Sequence, residues 1–355
     1  MNPADLRWRM PAEWEPHEAI WLSWPHRESS WPGNIAPIPG VYCEIARALA
    51  PHVKVRILVP DAEVEAQAHE ALRAHRADLP AVELWVVPTN DSWVRDFGPI
   101  FLVSDEEQPR LAATDWIFNT WGGKYPPFDK DDVAPRAIAP RLGVPLFIED
   151  IVLEGGSIDV NGRGTLLTTE QCLLNKNRNP HLSRGQIEQR LAARLGVRHF
   201  LWLGDGIEGD DTDGHIDDLA RFTDERTIVT VIEDDPASAN HAILHDNLER
   251  LRGMVDQDGH PFTIKTLPMP EPVIYKDEQL PASYANFLIT NGVVLVPTFA
   301  CPQDDEALAT LRGCFPGREV VGINCRELVW GLGALHCISQ QQPRAITGWW
   351  KEGAR

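Results

Sequence analysis

The chain has 355 residues, 43% hydrophobic and 24% charged, the profile of an ordinary soluble globule whose length allows one large domain or two. With 52 acidic against 33 basic residues the formal charge is −19, which repels phosphate backbones, makes nucleic acid a poor partner and favours a cationic small molecule. No stretch reaches the roughly 18 apolar residues a membrane helix needs, and residues 1–11 lack an apolar signal-peptide core, so no membrane contact and a cytoplasmic location are expected.

Taken from the amino end, short β-like runs are expected at 53–59, 82–87, 111–118, 144–148, 164–168, 199–203, 227–232, 262–267, 293–296 and 319–323. Apolar periodicity places helices between them at about 39–50, 61–76, 131–142, 183–195, 237–254 and 303–313. The fourth helix carries the plainest signals. Ser183 and Gln186 form a capping-box pair, Ile187, Leu191 and Leu195 line one face, and Gly196 stops it. Asp61, after Pro60, opens the second helix in the same way. The 29 prolines are spread through the loops, and no Gly/Ser/Pro-rich linker divides the chain. One α/β domain over residues 1–355 is expected, and spacing alone reveals no internal repeat.

Chemistry concentrates in a few segments. In 209–222 a histidine, His215, sits among carboxylates; on an extended segment His215 and Asp217 leave the same face. A calcium loop aligned on Gly214 puts Ala220 where its closing carboxylate should be, which argues against calcium. A solvated acidic loop and a catalytic histidine with a partner acid both remain open. The six cysteines, Cys43, Cys172, Cys301, Cys314, Cys325 and Cys337, include no Cys-x-x-Cys pair, so free thiols and no cysteine-rich zinc site are expected. Most are ordinary buried thiols by default. Cys337 differs, because it follows the glycine-bearing turn Gly331-Leu332-Gly333-Ala334 and precedes a polar segment stopped by Pro343. A thiol far in sequence from an acidic histidine motif is the general form of a nucleophile with its acid/base partner.

Three further segments place polar groups or glycines where strands end. Asp96 precedes a Gly98-Pro99 turn, and Arg95 beside it is either its surface ion-pair partner or the residue that holds the loop while Asp96 faces a ligand. Glu154 lies beside Gly155-Gly156, either a plain turn or a place where a ligand approaches without a Cβ in the way. Trp121-Gly122-Gly123-Lys124 is another such loop with an aromatic wall, or an ordinary surface turn.

Four motifs in order, Trp93-Val94-Arg95-Asp96-Phe97-Gly98-Pro99, Glu154-Gly155-Gly156, Asp213-Gly214-His215-Ile216-Asp217 and His336-Cys337-Ile338-Ser339-Gln340-Gln341-Gln342-Pro343, resemble those of the agmatine deiminase family. That family is grouped with bacterial-type peptidylarginine deiminases among guanidino-modifying enzymes. The resemblance runs from Met10-Pro11-Ala12-Glu13-Trp14-Glu15-Pro16-His17, through Asn119-Thr120-Trp121-Gly122-Gly123 and Asp129-Lys130-Asp131-Asp132, to Pro343. It implies a five-bladed α/β propeller, the pentein fold, of ββαβ modules, which the interleaved elements fit without predicting. Two departures stand out. The family usually has Gly-Gly-Gly-Asn where this chain has Gly331-Leu332-Gly333-Ala334, and Asp-Asn where it has Asp217-Asp218.

The resemblance also implies roles. Asp96 and Asp217 would grip a guanidinium, Cys337 would attack its carbon, His215 would move protons and Glu154 would hold His215, with Trp93 and Trp121 walling the substrate. No metal or organic cofactor is implied, and the family tends to form homo-oligomers. With agmatine the products would be N-carbamoylputrescine and ammonia, through a covalent thiouronium on the route to putrescine. The alternatives are deimination of free or peptide-bound arginine, amidino transfer to an amine, and guanidine binding without turnover.

Overall fold

In the computed structural model, which describes residues 3–4, 7–104 and 110–345, all ten apolar runs form strands and all six periodic segments form helices. The Asp61 carboxylate caps the second helix by accepting the N–H groups of Glu63 and Val64. Gln186 Oε1 accepts the Ser183 N–H at 2.8 Å, and Gly196 closes that helix in the left-handed region. The third helix starts only at Ala134, not 131, because Asp131 and Asp132 instead cap the backbone of Asn90 and Phe118.

Periodicity did not mark the strand that precedes most of these runs. Five sheets share one pattern, in which a short first strand runs antiparallel to a second, and a helix leads to a third strand parallel to the second. Four sets follow in chain order. They are Ile100–Ser104, Leu111–Ile117, Leu146–Val152; Asp159–Val160, Thr165–Thr169, His199–Leu203; Ala220–Asp224, Thr227–Ile232, Thr263–Pro268; and Leu288–Ile289, Val293–Thr298, Glu319–Asn324. The remaining set unites distant parts of the chain. Ser339–Pro343 runs antiparallel to His17–Ser23, which is parallel to Lys54–Val59. Each set is a ββαβ unit, so the α/β class and the module match what the resemblance implied. The repeat lies in topology, carried by different residues in each copy, and so leaves no periodic trace in sequence.

One consequence positions the site. The loop entering each first strand lies at an equivalent place in its unit, and these five loops hold residues 91–99, 153–158, 209–219, 283–287 and 331–338.

Candidate active site

Asp96 sits on a single helical turn, Val94–Phe97. Arg95 does not pair with it. Buried, Arg95 donates to Gln340 Oε1 at 2.9 Å, Gln341 Oε1 at 2.6 Å and the His336 carbonyl at 3.2 Å, and so ties the Asp96 loop to the segment around Cys337. The holding role is therefore the one Arg95 takes. Asp96 Oδ1 accepts the Gly156 N–H at 2.9 Å, and Oδ2 accepts the Trp121 indole N–H at 2.9 Å. Trp121 reaches that carboxylate from a left-handed backbone, φ +56°, a strained conformation held by the surrounding loop.

Gly156 explains the glycine pair. A Cβ there would lie 2.7 Å from His215 Nδ1, 2.9 Å from Asp96 Oδ1 and 3.1 Å from Asp217 Oδ2, so these three side chains converge on the bare face of one residue. His215 and Asp217 do not lie on an extended strand as expected. Ile216–Asp218 is a 3₁₀ turn, tightened because the Asp210 carboxylate draws in the N–H groups of Gly214 and His215. The turn still brings imidazole and carboxylate to one target.

Cys337 Sγ lies 3.7 Å from Asp217 Oδ2 and 3.0 Å from the side-chain nitrogen of Asn286. Gly333 makes room for it, since a Cβ there would meet Trp93 at 2.7 Å and Cys337 Cβ at 2.9 Å. Asp217 is anchored by His336, whose ring spans Asp217 Oδ2 at 2.7 Å and Glu13 Oε2 at 3.0 Å. Glu154 Oε1 pairs with Arg178 at 2.6 Å. Around this point Glu154 Oε2, Asp217 Oδ1, Arg95 Nη2 and both ring nitrogens of His215 are buried without a hydrogen-bond partner. Orphaned buried polar atoms of this kind cost free energy unless a ligand satisfies them.

A cavity of about 230 Å³ opens at Cys337 and Asp96, walled by Trp93, Trp121, Tyr275, Trp330 and Leu332. A larger depression of about 460 Å³, lined by Trp8, Arg163 and Arg198, contains none of these groups. The sequence-read residues thus come together in one place: Trp93, Asp96, Trp121 and Cys337 line the cavity, and Glu154, His215 and Asp217 lie fully buried behind them.

The chain matches the model of the Porphyromonas-type peptidyl-arginine deiminase family over residues 9–343. It belongs to that family. The agmatine deiminase of Pseudomonas fluorescens is 38% identical to it over 94% of this chain and 95% of its own. Among solved structures, the agmatine deiminase of Enterococcus faecalis superposes with a TM-score of 0.91 at 34% identity, covering 97% of this chain and 98% of its own. The C. jejuni agmatine deiminase, as a cysteine-to-serine variant with substrate bound, gives 0.87 at 34% identity over 96% and 97%.

Sequence reasoning passed over three parts of this family member's site. Asn286 carries no charge and stands in no motif. Glu13 and His336 stand in segments that carry the resemblance and Arg178 in none, and only the fold makes all three neighbours of the site.

Burial and neighbouring acids set the protonation states. Burial, then Asp217, Asp218 and Asp96, push the Cys337 thiol well above its usual value, so the empty site holds a neutral thiol. For His215, burial opposes the charged ring, but Asp96, Cys172 and Asp217 outweigh it and hold the imidazole well above 6.5. Asp96 is pushed up to about 6 by burial, aided by Asp217 and Glu154 against the pull of His215. A guanidinium needs the ionised form of Asp96, so affinity for a cationic guanidine is expected to fall about tenfold per pH unit below pH 6. Calorimetric titration with an alkylguanidine checks this. Affinity unchanged down to about pH 4, the ordinary aspartate value, would contradict it.

Proposed function

We propose that this protein is an agmatine deiminase, hydrolysing agmatine to N-carbamoylputrescine and ammonia through a thiouronium on Cys337, a step toward putrescine. The carrying observation is the set of orphaned acceptors, Glu154 Oε2 and Asp217 Oδ1, buried beside a thiol 3.7 Å from the same Asp217. A flat cation with several N–H donors satisfies such acceptors, and the names of the relatives are consistent with that chemistry.

Asp96 and Asp217 grip the guanidinium and set its central carbon over Sγ, the proximity part of catalysis. The bound cation offsets the acids around Cys337, so the thiol ionises when substrate arrives, its proton passing to solvent. Sulfur attacks the carbon. His215, held protonated, gives its proton to the departing nitrogen, and ammonia leaves. The imidazole then takes a proton from water, whose oxygen attacks the same carbon; the C–S bond breaks, a urea-type product is released, and the departing thiolate regains its proton from solvent. Glu154, fixed by Arg178, faces His215 and the guanidinium.

The outer cavity favours agmatine over arginine. Its lining includes the carboxylates of Glu278 and of Asp211, the latter shared with Lys124 at 3.3 Å and the Tyr125 hydroxyl, and these acids suit a distal ammonium. The lining arginine, Arg27, is committed to Asp91 at 3.3 Å and to the carbonyls of Tyr125 and Pro126, so it does not meet an α-carboxylate. Steady-state rates on agmatine, free arginine and a blocked arginine peptide test the reading. Agmatine is expected to lead in kcat/KM by at least about 10²-fold, since an α-carboxylate among these acids is unpaired and repelled. Turnover of the peptide with agmatine inert would reject it.

The chain works as one catalytic domain, because Asp96, Glu154, His215 with Asp217, and Cys337 enter from four different ββαβ units. Homo-oligomer formation rests on the family resemblance alone. Among the described residues no helix is long and apolar enough to cross a membrane.

A further inference from the structure

Four of the five equivalent loops carry the residues discussed above; the fifth, Ser283-Tyr284-Ala285-Asn286-Phe287, has no titratable group aimed at the site. Its Asn286 is nevertheless fully buried and fixed on every side. The amide oxygen accepts the backbone N–H of His336 at 2.9 Å and of Cys337 at 3.3 Å. Turned over, the side chain would set its NH₂ against those two donors, so the NH₂ faces the sulfur. Its nitrogen lies 3.0 Å from Cys337 Sγ and 3.0 Å from Asp218 Oδ1. The loop beneath is pinned as well, with Ser283 Oγ donating to the Asp218 carbonyl at 2.7 Å and accepting the Ala285 N–H at 3.1 Å.

A donor at this point answers a problem that the acids create. Asp217, Asp218 and Asp96 all disfavour negative charge on Cys337, with the backbone at Ala334 pulling the other way, while the hydrogen bonds Arg95 donates go to Gln340, Gln341 and the His336 carbonyl and its Nη2 has no partner. The thiolate must still form, attack, and re-form as leaving group. Building on the deiminase reading, we infer that Asn286 is a catalytic residue whose side-chain N–H donates to the Cys337 sulfur and stabilises the thiolate on both the attacking and the departing step. Asp218 aligns the donor by accepting its second N–H, and so acts as a positioning residue.

The test follows Cys337 alkylation by iodoacetamide against pH, read on the Cys337 peptide by mass so that the other thiols do not contribute, in the wild-type, Asn286→Ala and Asn286→Asp proteins. No substrate is needed for this readout. The midpoint is expected to rise by at least about one pH unit in both variants, and kcat on agmatine to fall about 10²–10³-fold, the usual loss for one preorganised donor, with KM within about twofold. If the alanine form fails to fold, Asn286→Asp keeps the acceptor that holds the loop and carries the test. An unmoved midpoint in a folded variant, or a loss confined to KM, overturns the assignment. A wild-type protein inert on agmatine but with the expected alkylation shift would reject the substrate and leave this role of Asn286 standing.

Discussion

Replacing Cys337 by alanine is expected to lower ammonia release from agmatine by about 10⁵-fold or more, with the fold and guanidine affinity retained. Nucleophile deletions in covalent enzymes cost about this much, because the remaining groups only position the substrate. The side chain removed is small, and its seat between Gly333 and Trp93 tolerates a methyl group, so thermal unfolding should change little. Asp96, Asp217 and Glu154 all remain in the variant, so an alkylguanidine should bind within a few-fold of its affinity for the wild-type protein, about 1 kcal/mol or less. The covalent step has its own signature. Acid quench of the wild-type protein during turnover should leave the Cys337 peptide heavier by agmatine less ammonia. Turnover preserved in Cys337→Ala, or an adduct on another cysteine, would remove the nucleophile from this site.

The second large effect is on stability. Arg221 is fully buried, and its guanidinium joins Glu13, Asp159 Oδ2 at 3.0 Å and the Phe287 carbonyl at 3.1 Å while stacking over the Phe287 ring. Burial alone would raise Glu13, but Arg221 and His336 hold it well below the ordinary carboxylate range. Arg221→Met leaves two carboxylates buried without their cation, and removing one member of such a set costs about 3–5 kcal/mol. Denaturant unfolding should register that loss. The cause can be separated from lost packing by adding Glu13→Gln and Asp159→Asn to Arg221→Met. With the stranded charges gone, much of the stability should return, whereas a purely steric defect would persist. Activity should fall with the single variant as well, since Glu13 also bears on the far nitrogen of His336, which anchors Asp217.

What was legible in the sequence divides along physical lines. Apolar runs such as Thr227–Ile232 and Val293–Thr298 bury both faces and so announce themselves, as do helices with a cap and a left-handed stop. Among the first strands, Asp159–Val160 and Leu288–Ile289 are too short to show a period, and Ser339–Pro343 carries residues that contradict strand chemistry. Ser339-Gln340-Gln341-Gln342-Pro343 is wholly buried, yet it is satisfied by specific partners, with Gln342 meeting Trp21 and Arg56 and Gln340 and Gln341 meeting Arg95. Propensity cannot foresee partners that lie hundreds of residues away. At the site, charge and glycine made Asp96, Glu154, His215 and Asp217 conspicuous. Asn286 was silent, since a neutral amide gains its meaning only from the atoms it faces. The extended geometry expected for His215 failed for a related reason, as Asp210 pulls the backbone into a tight turn from within the same acidic cluster.

The seam between Ser339–Pro343 and His17–Ser23 joins segments more than 300 residues apart, as in the Trp21 to Gln342 bond with a separation of 321. Closing so long a loop is the entropically steepest contact in the molecule, which places it late among folding events. Cys337 lies immediately before that closing strand. A growing polypeptide can therefore complete its other units while the Cys337 sulfur is still unseated, and the cavity it lines is finished only with the final zippering of the two distant segments.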